Sequence, residues 1–396
     1  MIKEWMLFWV LLLAVAVMVG WSVHSNARTE LEGSKRPEGG RYNSYAFAFA
    51  LPLWMGLFIA VLLLADGGIA VHTLFTLLVV LFTNLSVYYG MLLLLRPLLR
   101  RYFSARACAT LWLLPNFLYY LGSLAPLMPS RFQSLGGPML TLPWLRAETV
   151  IALWMAGVAA VLIWKIAGHF RFRRQILKDA REVRDSAVLH LWWEEQREAG
   201  YKESELTLVE SPAVSTPLSI GFFRATIRVV LPERIYTEEE LRLIFRHELI
   251  HIGRGDSSGK FFLVFCTALC WFNPLVWLAM DQSAEDMELS CDETVLLGAD
   301  SERRRRYGEL LLRTAGDQRG FTTCLSSTAR SLRYRLERVI APARRHLGGV
   351  LVGTAMFLLL LMTCGDGVVV AYGESSWREA TQLESSAGWS VKLGRM

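Results

Sequence analysis

One stretch of the sequence predicts both a helix and a site of chemistry: Thr237-Glu-Glu-Glu-Leu-Arg-Leu-Ile-Phe-Arg-His-Glu-Leu-Ile-His-Ile-Gly-Arg-Gly-Asp256. Thr237 followed three residues later by Glu240 is a capping box, in which each side chain can bond the other residue's backbone N–H at the start of a helix. Gly253 follows the last apolar residue and is expected to end the helix. Local signals therefore define both ends of a predicted helix.

Two histidines of this helix are spaced to share one face. His247 and His251 are four residues apart, and residues i and i+4 lie one above the other on a helix. Two imidazoles that point at one spot can supply two corners of a tetrahedral Zn2+ site. Glu248 lies about 100° round the helix from His247, where a carboxylate can accept a proton from attacking water and pass it to a leaving amine. The pattern predicts peptide hydrolysis with Glu248 as the general base.

A catalytic zinc site needs a third protein ligand, which has to come from another part of the chain. Residues 284–297 have the apolar spacing of a helix and carry Glu288 and Asp292, four residues apart. Glu288 is the predicted ligand, and Asp292 is predicted to accept the far N–H of a ligand histidine and so fix its tautomer. Glu285 lies on the same stripe and stays open as the rival ligand.

The block between these segments, residues 261–280, has no charge and is long enough to cross a bilayer. A crossing would put His247 and Glu288 on opposite sides of the membrane, where they could not share one metal ion. We therefore predict a membrane-associated hairpin that enters the membrane and returns, or packs on the membrane-facing side of the domain, with its break at Asn273-Pro274. Either arrangement puts the site at the membrane surface.

Upstream of the histidines the sequence predicts a short strand. Residues from Thr226 to Leu231 form a β-rich run that ends at Pro232. We expect an exposed edge strand here, which could hold an extended peptide by main-chain hydrogen bonds.

The rest of the chain has the composition of a membrane protein. Of its 396 residues, 53% are hydrophobic and 20% charged, and the mean hydropathy is +0.32, which excludes a purely soluble or a disordered chain. About five largely uncharged spans of the length that crosses a bilayer core are predicted within residues 1–169. They cover residues 5–27, 42–65, 67–95, 107–130 and 147–168. A further span is predicted at 347–372, followed by a short tail at 373–396.

Basic residues beside these spans predict their orientation. The loops near 28–41 and 96–106, and the segment after the fifth span, are rich in arginine and lysine, which favour the cytoplasmic side. Residues 170–346 are thereby predicted to form a cytoplasmic domain, and residues 373–396 an extracytoplasmic tail. The net charge of +6 is accounted for by arginines that face anionic lipid, so direct nucleic-acid binding is not expected.

An ordered set of motifs resembles one known family. The motifs are Ser215-Thr-Pro-Leu-Ser-Ile-Gly221, His247-Glu-Leu-Ile-His-Ile-Gly-Arg-Gly-Asp256, Phe272-Asn-Pro-Leu-Val-Trp277 and Glu288-Leu-Ser-Cys-Asp292. Together they are similar to the BlaR/MecR-type membrane metallopeptidases, antirepressor peptidases that relay antibiotic signals in bacteria. The resemblance runs over roughly residues 205–345.

This resemblance implies an α-helical polytopic protein of the bacterial inner (cytoplasmic) membrane with an inserted cytoplasmic α+β zincin-like metallopeptidase domain. It implies Zn2+ bound by His247, His251 and Glu288, with Glu248 as base and Asp292 behind a histidine. The implied partners are the lipid bilayer and a protein or peptide substrate, of which a transcriptional repressor is one candidate. A homodimer stays open.

The sequence also departs from the antibiotic sensors of that family, which carry a penicillin-binding domain built on S-x-x-K, S-D-N and K-T-G signatures. Ser257-Ser-Gly-Lys260 matches the first signature without its companions and is predicted to be a loop. Direct sensing of β-lactams is therefore not expected. Members of the family can cleave themselves in the cytoplasmic domain, and Ser326 to Arg330 is the candidate segment here.

Two functions of different classes follow from these motifs. The first is a zinc endopeptidase that cleaves a cytoplasmic regulator in response to an envelope signal. The second is a membrane signal transducer or scaffold that retains a structural zinc site. Glu248 favours the first, because a structural site needs no base and would close with a fourth ligand.

Two groups of side chains are left without a unique role. The oxyanion-stabilising residue stays open among Tyr307, Arg254 and Arg246. The six cysteines have no zinc spacing and are predicted to be free: Cys108, Cys266, Cys270, Cys291, Cys324 and Cys364.

Overall fold

A computed structural model describes residues 2–31, 67–115, 147–202, 205–221, 226–314, 329–341 and 346–361. Within these ranges the chain is mostly helical and contains one small sheet. The helices are α1 (Ile2–Leu31), α2 (Gly67–Tyr102), α3 (Ala105–Leu113), α4 (Ala147–Lys178), α5 (Ser186–Glu198), α6 (Glu238–Arg254), α7 (Asp256–Leu269), α8 (Pro274–Val295), α9 (Ser301–Thr314), α10 (Ala329–Ile340) and α11 (Gly349–Leu361). The strands are β1 (Arg181–Glu182), β2 (Thr207–Ser211), β3 (Leu218–Ile220) and β4 (Arg228–Pro232).

One helix among the described residues, the part of α4 from Thr149 to Lys178, is long and apolar enough to cross a membrane. Its most apolar window has a mean hydropathy of 2.1 and only 11% of it is buried, so most of that surface faces outward. Helices α1, α2 and α11 also coincide with predicted spans, although the side chains of 2–9 and 67–81 lie outside the described part. Residues 42–65, 116–130 and 373–396 lie outside it entirely, and the multi-pass arrangement stays a prediction.

The sheet has the strand order β1-β2-β4-β3. β2 and β4 run parallel, with Val209 opposite Val230, and β3 pairs with β4 in the antiparallel sense. Val229 and Val230 are fully buried and face two different hydrophobic cores. The prediction of an exposed edge strand at 226–232 is therefore wrong. The run is a central strand, whose β-branched residues suit burial on both faces.

Helix α6 begins as predicted and ends two residues later than predicted. The Thr237 hydroxyl accepts from the backbone N–H of Glu240, whose carboxylate accepts from the backbone N–H of Thr237, at 3.3 and 2.9 Å. Gly253 is buried within the last turn, so its assignment as the helix stop is wrong. Gly255 ends the helix instead, with a left-handed φ of 69° that glycine adopts without strain. Helix α7 then begins directly at Asp256.

Helices α7 and α8 form a hairpin around the predicted break. The Asn273 side chain accepts from the backbone N–H of Leu275 at 3.0 Å, and Pro274 occupies the first turn of α8. The prediction of a loop at 257–260 is wrong, because Gly255 starts α7 at once and these residues form its first turn. Phe262 of α7 is fully buried among side chains of α2, α3 and α8. The hairpin therefore shares one core with the helices of the N-terminal half.

Small residues bring α1 close to α11. A Cβ atom at Gly20 would lie 2.7 Å from the carbonyl oxygen of Gly349 and 3.1 Å from the Cα of Gly353. A Cβ atom at Gly353 would lie 3.1 Å from the carbonyl oxygen of Ala16. Packing of this kind lets the backbones of apolar helices touch, as in helix pairs within membranes.

We expect Gly20→Ala to destabilise the detergent-solubilised full chain by about 1–3 kcal/mol, because the new methyl group forces two backbones apart. Gly168→Ala in α4 is the matched control, since a Cβ atom there meets nothing within 4 Å. The control should be neutral or slightly stabilising through helix propensity. Thermal unfolding followed by circular dichroism measures both variants, and equal midpoints would contradict the close packing of α1 on α11.

Candidate metal centre

The last turns of α6 present two imidazoles to one point. The Nε2 atoms of His247 and His251 lie 3.1 Å apart, and the rings meet edge to face with centroids 4.7 Å apart. His251 is fully buried and His247 is partly buried. The i, i+4 spacing on one helix produces this convergence, as the sequence predicts.

Glu288 of α8 completes a triangle of donor atoms. Its Oε2 lies 3.5 Å from Nε2 of His247 and 3.6 Å from Nε2 of His251. Ligand atoms about 2.0–2.1 Å from a tetrahedral Zn2+ are about 3.3 Å from one another, close to all three separations. The other oxygen of Glu288 is buried and has no hydrogen bond within the described residues. The donor set and its spacing therefore fit a zinc ion.

Cys291 is a second candidate for the third ligand. Donor atoms of His247, His251 and Cys291 all lie within 4.8 Å of one another. The Cys291 thiol, however, donates to the backbone carbonyl of His247 at 3.3 Å, and that carbonyl belongs to the helix backbone behind the ring. The separations of 3.5 and 3.6 Å that involve Glu288 match the tetrahedral spacing, and its carboxylate is not bonded to the helix backbone, so we favour Glu288.

The Nδ1 atom of each histidine has a hydrogen-bond partner. Nδ1 of His251 lies 2.5 Å from Oδ2 of Asp256, which the turn at Gly255 brings beneath the ring. Nδ1 of His247 lies 3.0 Å from the Tyr307 hydroxyl of α9, which donates to Oδ1 of Asp292 at 2.7 Å. The predicted acceptor Asp292 lies 3.6 Å from that nitrogen and reaches it through Tyr307.

Three more charged side chains contact α8 near the metal centre. Arg335 of α10 donates to both oxygens of Asp292 at 2.7 Å and lies 3.6 Å from Glu288. Lys260 of α7 lies 3.7 Å from the other oxygen of Glu288. Arg254 of α6 donates to Ser290 and Thr294 of α8 at 2.8 and 2.7 Å. These contacts tie α6, α7 and α10 to the helix that carries Glu288.

The structure gives other partners to the rival zinc ligand and to the candidates for the oxyanion-stabilising residue. The rival ligand Glu285 is paired with Arg96 and Arg100 of α2 at 3.2 Å. Arg246, one of the oxyanion candidates, is paired with Glu195 and Glu198 of α5 at 2.8 and 3.1 Å. Tyr307, the second candidate, contacts Nδ1 of His247, the nitrogen that is directed away from Glu288. Arg254, the third candidate, donates to Ser290 of α8.

Glu248 is almost entirely buried, at 2% exposure, beside His247 in the same helix. Its Oε2 atom has no hydrogen-bond partner among the described residues. A buried carboxylate oxygen without a partner is costly unless a ligand or water satisfies it. The observation is compatible with an oxygen that faces a reactant.

Sequence reasoning missed Asp256, Lys260 and Arg335 as residues of this centre. Asp256 had a local signal, since it lies five residues after His251 and follows a glycine. Lys260 and Arg335 had none, because each reaches α8 from another helix. None of the four cysteines within the described residues forms a disulfide, in agreement with the prediction: Cys108, Cys266, Cys270 and Cys291.

The acidic surroundings change the protonation of the metal-free histidines. Burial alone lowers the pKa of His247, but Cys291 and Glu288 raise it to about 10. The pKa of His251 is also raised, since Cys291, Glu288 and Asp256 outweigh the effect of burial. Burial opposes ionisation of Glu288, yet the two histidines hold the pKa of its carboxyl well below the usual range. Without metal the centre is therefore a buried ion-pair cluster.

Comparisons with known proteins match this chain to one family of peptidases. The family model described as BlaR1 peptidase M56 matches residues 118–339. The Regulatory protein BlaR1 of Bacillus licheniformis is 28% identical over 186 residues, which cover 46% of this chain and 30% of that protein. The Methicillin resistance mecR1 proteins of Staphylococcus aureus and Staphylococcus epidermidis are 26% identical over 121 residues, 30% of this chain and 20% of theirs. The match thus spans less than a third of each of these relatives.

Exchange of the two candidate third ligands should separate them. We expect Glu288→Gln to weaken zinc affinity about 100-fold or more, since a neutral amide is a poor zinc ligand. Cys291→Ser should change affinity by no more than about threefold, because the thiol bonds the helix backbone instead. Competition with a chromophoric chelator measures both constants on purified full chain. The reverse order of effects would assign the ligand to Cys291.

Zinc binding should release protons. The pKa values of both histidines are raised in the metal-free centre, so the pair holds at least one extra proton at pH 7.5, and a ligand nitrogen must be unprotonated. We expect about one to two protons released per zinc ion and tighter binding as the pH rises. Calorimetric titration in two buffers of different ionisation enthalpy counts these protons. Equal heats in both buffers would contradict the protonated cluster.

Proposed function

This chain belongs to the BlaR1 peptidase M56 family, and we propose that it is a zinc-dependent endopeptidase at a membrane surface with a regulatory role. The observation that carries the proposal is the triangle of donor atoms from His247, His251 and Glu288, with separations of 3.1–3.6 Å. Glu248, whose buried oxygen has no partner among the described residues, lies next to it. A donor triangle with a base beside it is the arrangement of a catalytic metal site.

His247, His251 and Glu288 are the proposed zinc ligands, and zinc is the proposed cofactor. Once bound, the ion would acidify a water molecule and polarise the carbonyl of a peptide bond. Glu248 accepts the proton of the attacking water and delivers it to the departing amine. The role of general base explains why the carboxylate of Glu248 is buried beside the proposed ligands, for which the fold gives no other reason.

The residues behind the histidines set their tautomers. Asp256 accepts Nδ1–H of His251 at 2.5 Å, so the Nε2 lone pair of that ring faces the proposed zinc position. Tyr307 accepts Nδ1–H of His247 and passes the interaction to Asp292. Arg335 neutralises Asp292, which keeps a second carboxylate from being left unpaired in the buried centre.

The substrate class and the biological setting are proposed from the family. The relatives are named for regulation and for methicillin resistance, and by that likeness we propose a cytoplasmic regulator, such as a transcriptional repressor, as substrate. The proposed location is the bacterial inner membrane, with several spans and the active site on the cytoplasmic side. Self-cleavage in the segment Ser326 to Arg330 belongs to the proposal, and residues 326–328 lie outside the described part of the chain.

The alternative is a non-proteolytic membrane signal transducer or scaffold in which zinc is structural. It shares the three ligands but gives Glu248 no role. A structural site is normally closed by a fourth protein ligand. Among the described residues, the Cys291 thiol groups with both histidine nitrogens within 4.8 Å, but it bonds a backbone carbonyl.

We expect Glu248→Gln to retain zinc and to lower peptide cleavage by roughly 10²–10⁴-fold, because the base is lost while the ligands stay. Purified full chain in nanodiscs, incubated with a bacterial peptide library, is scored by new N-termini in mass spectrometry, and zinc content by elemental analysis. Glu238→Gln removes an exposed carboxylate from the same helix and is the matched control. Unchanged cleavage by Glu248→Gln would refute the assigned base, and zinc binding without cleavage by wild type would favour the scaffold.

A further inference from the structure

A buried ion pair joins α2 to α8, the helix that carries Glu288. Arg100 of α2 donates from Nε to Oδ1 of Asp286 at 2.6 Å, and the two residues are only 5% and 1% exposed. The second oxygen of Asp286 accepts from Nε1 of Trp112 in α3 at 2.7 Å. Helices that precede the metal centre in the chain therefore engage both oxygens of this carboxylate.

A second set of contacts holds Arg100 in place. Glu285 of α8 accepts from Arg96 and from Arg100, each at 3.2 Å. The backbone carbonyl of Arg100 accepts from Nη1 of Arg338 in α10 at 3.2 Å. Arg338 also pairs with Glu293 of α8 at 3.1 Å. The end of α2 is thus fixed against α8 by several charged groups at once.

Asp286 and Glu288 point in nearly opposite directions from one helix. They are two residues apart, and each residue turns a helix by about 100°. Asp286 contacts α2 and α3, whereas Glu288 faces His247 and His251. A helix is stiff over two residues, so a rotation of α8 that separates Arg100 from Asp286 also moves Glu288 relative to the imidazoles.

A buried carboxylate that loses its cationic partner is strongly destabilised. Removal of Arg100 would therefore favour a shift of α8 that gives Asp286 access to water. Such a movement would alter the donor triangle although no residue of the triangle had been changed.

We propose that Arg100 and Asp286 are positioning residues of the metal centre, which hold α8 in the rotation that brings Glu288 to both histidines. The proposal rests on the zinc site proposed above and extends it to α2. Because α2 contains the predicted span 67–95, a displacement of that span reaches Glu288 through Arg100. The metal site and the apolar part of the chain are thereby mechanically linked.

The proposal can be tested by whether zinc affinity rises or falls when Arg100 is replaced. Arg100→Gln removes a positive charge near the centre, and electrostatics alone would then strengthen the binding of a dication. Loss of positioning has the opposite effect, and we expect affinity to fall by about 10–100-fold. Arg101→Gln removes the same charge from the exposed neighbouring side chain and should leave affinity within about twofold of wild type.

Two more variants keep the test decisive. Arg100→Lys retains the charge and should recover part of the affinity lost in Arg100→Gln. Trp112→Phe removes a hydrogen bond to Asp286 without changing any charge, and it should weaken zinc binding even if Arg100→Gln fails to fold. Chelator competition on full chain in nanodiscs gives the zinc affinity, and thermal unfolding of the metal-free protein checks the fold.

The outcomes separate this proposal from the proposed function. Wild type that binds zinc tightly, with equal or tighter binding in Arg100→Gln and unchanged binding in Trp112→Phe, would overturn the positioning role alone. Wild type that binds no zinc would overturn the zinc peptidase and this inference with it. Weaker binding in Arg100→Gln and Trp112→Phe, with Arg101→Gln unaffected, would support the link from α2 to Glu288.

Discussion

The contact of α6 with α8 is the interaction on which the rest of this structure depends. It brings Glu288 within 3.6 Å of two imidazoles whose own spacing is fixed by a single helix. The two helices can meet because the apolar segment between them forms α7, turns, and returns as the start of α8. Arg254 fastens the end of α6 to Ser290 and Thr294 of α8. A buried cluster of such charge density persists only if each charge has a partner.

Features encoded within a few residues could be predicted from the sequence. The capping box of α6 and the convergence of His247 and His251 depend on one helix and its first turn. The position of Asn273 at the start of α8 depends on the dipeptide that it forms with Pro274. The end of α6 is nevertheless predicted at Gly253 instead of Gly255, because two glycines give the same local signal. Packing decides which of them is buried in the helix and which turns the chain.

Features that depend on distant partners could not be predicted. Glu285 and Glu288 occupy the same stripe of α8 in the sequence pattern. Glu285 pairs with arginines of α2, which are far away in sequence, and this pairing removes it from the metal centre. The run at 226–232 alternates as an edge strand would, and only the pairing of β4 with both β2 and β3 makes it central. The link from His247 to Asp292 passes through Tyr307, a residue whose sequence position carries no sign of that role.

The close packing of α1 on α11 also constrains the order of events during synthesis. Roughly 330 residues separate Gly20 from Gly349, so at about 5–20 residues per second the ribosome takes tens of seconds to deliver the partner of α1. Throughout that interval the small-residue face of α1 lacks its partner, and in the proposed membrane setting lipid or a factor of the insertion machinery would cover it. Closure of α11 onto α1 is thus a late event, and it joins the earliest described helix to the last one after the residues of the metal centre have already been translated.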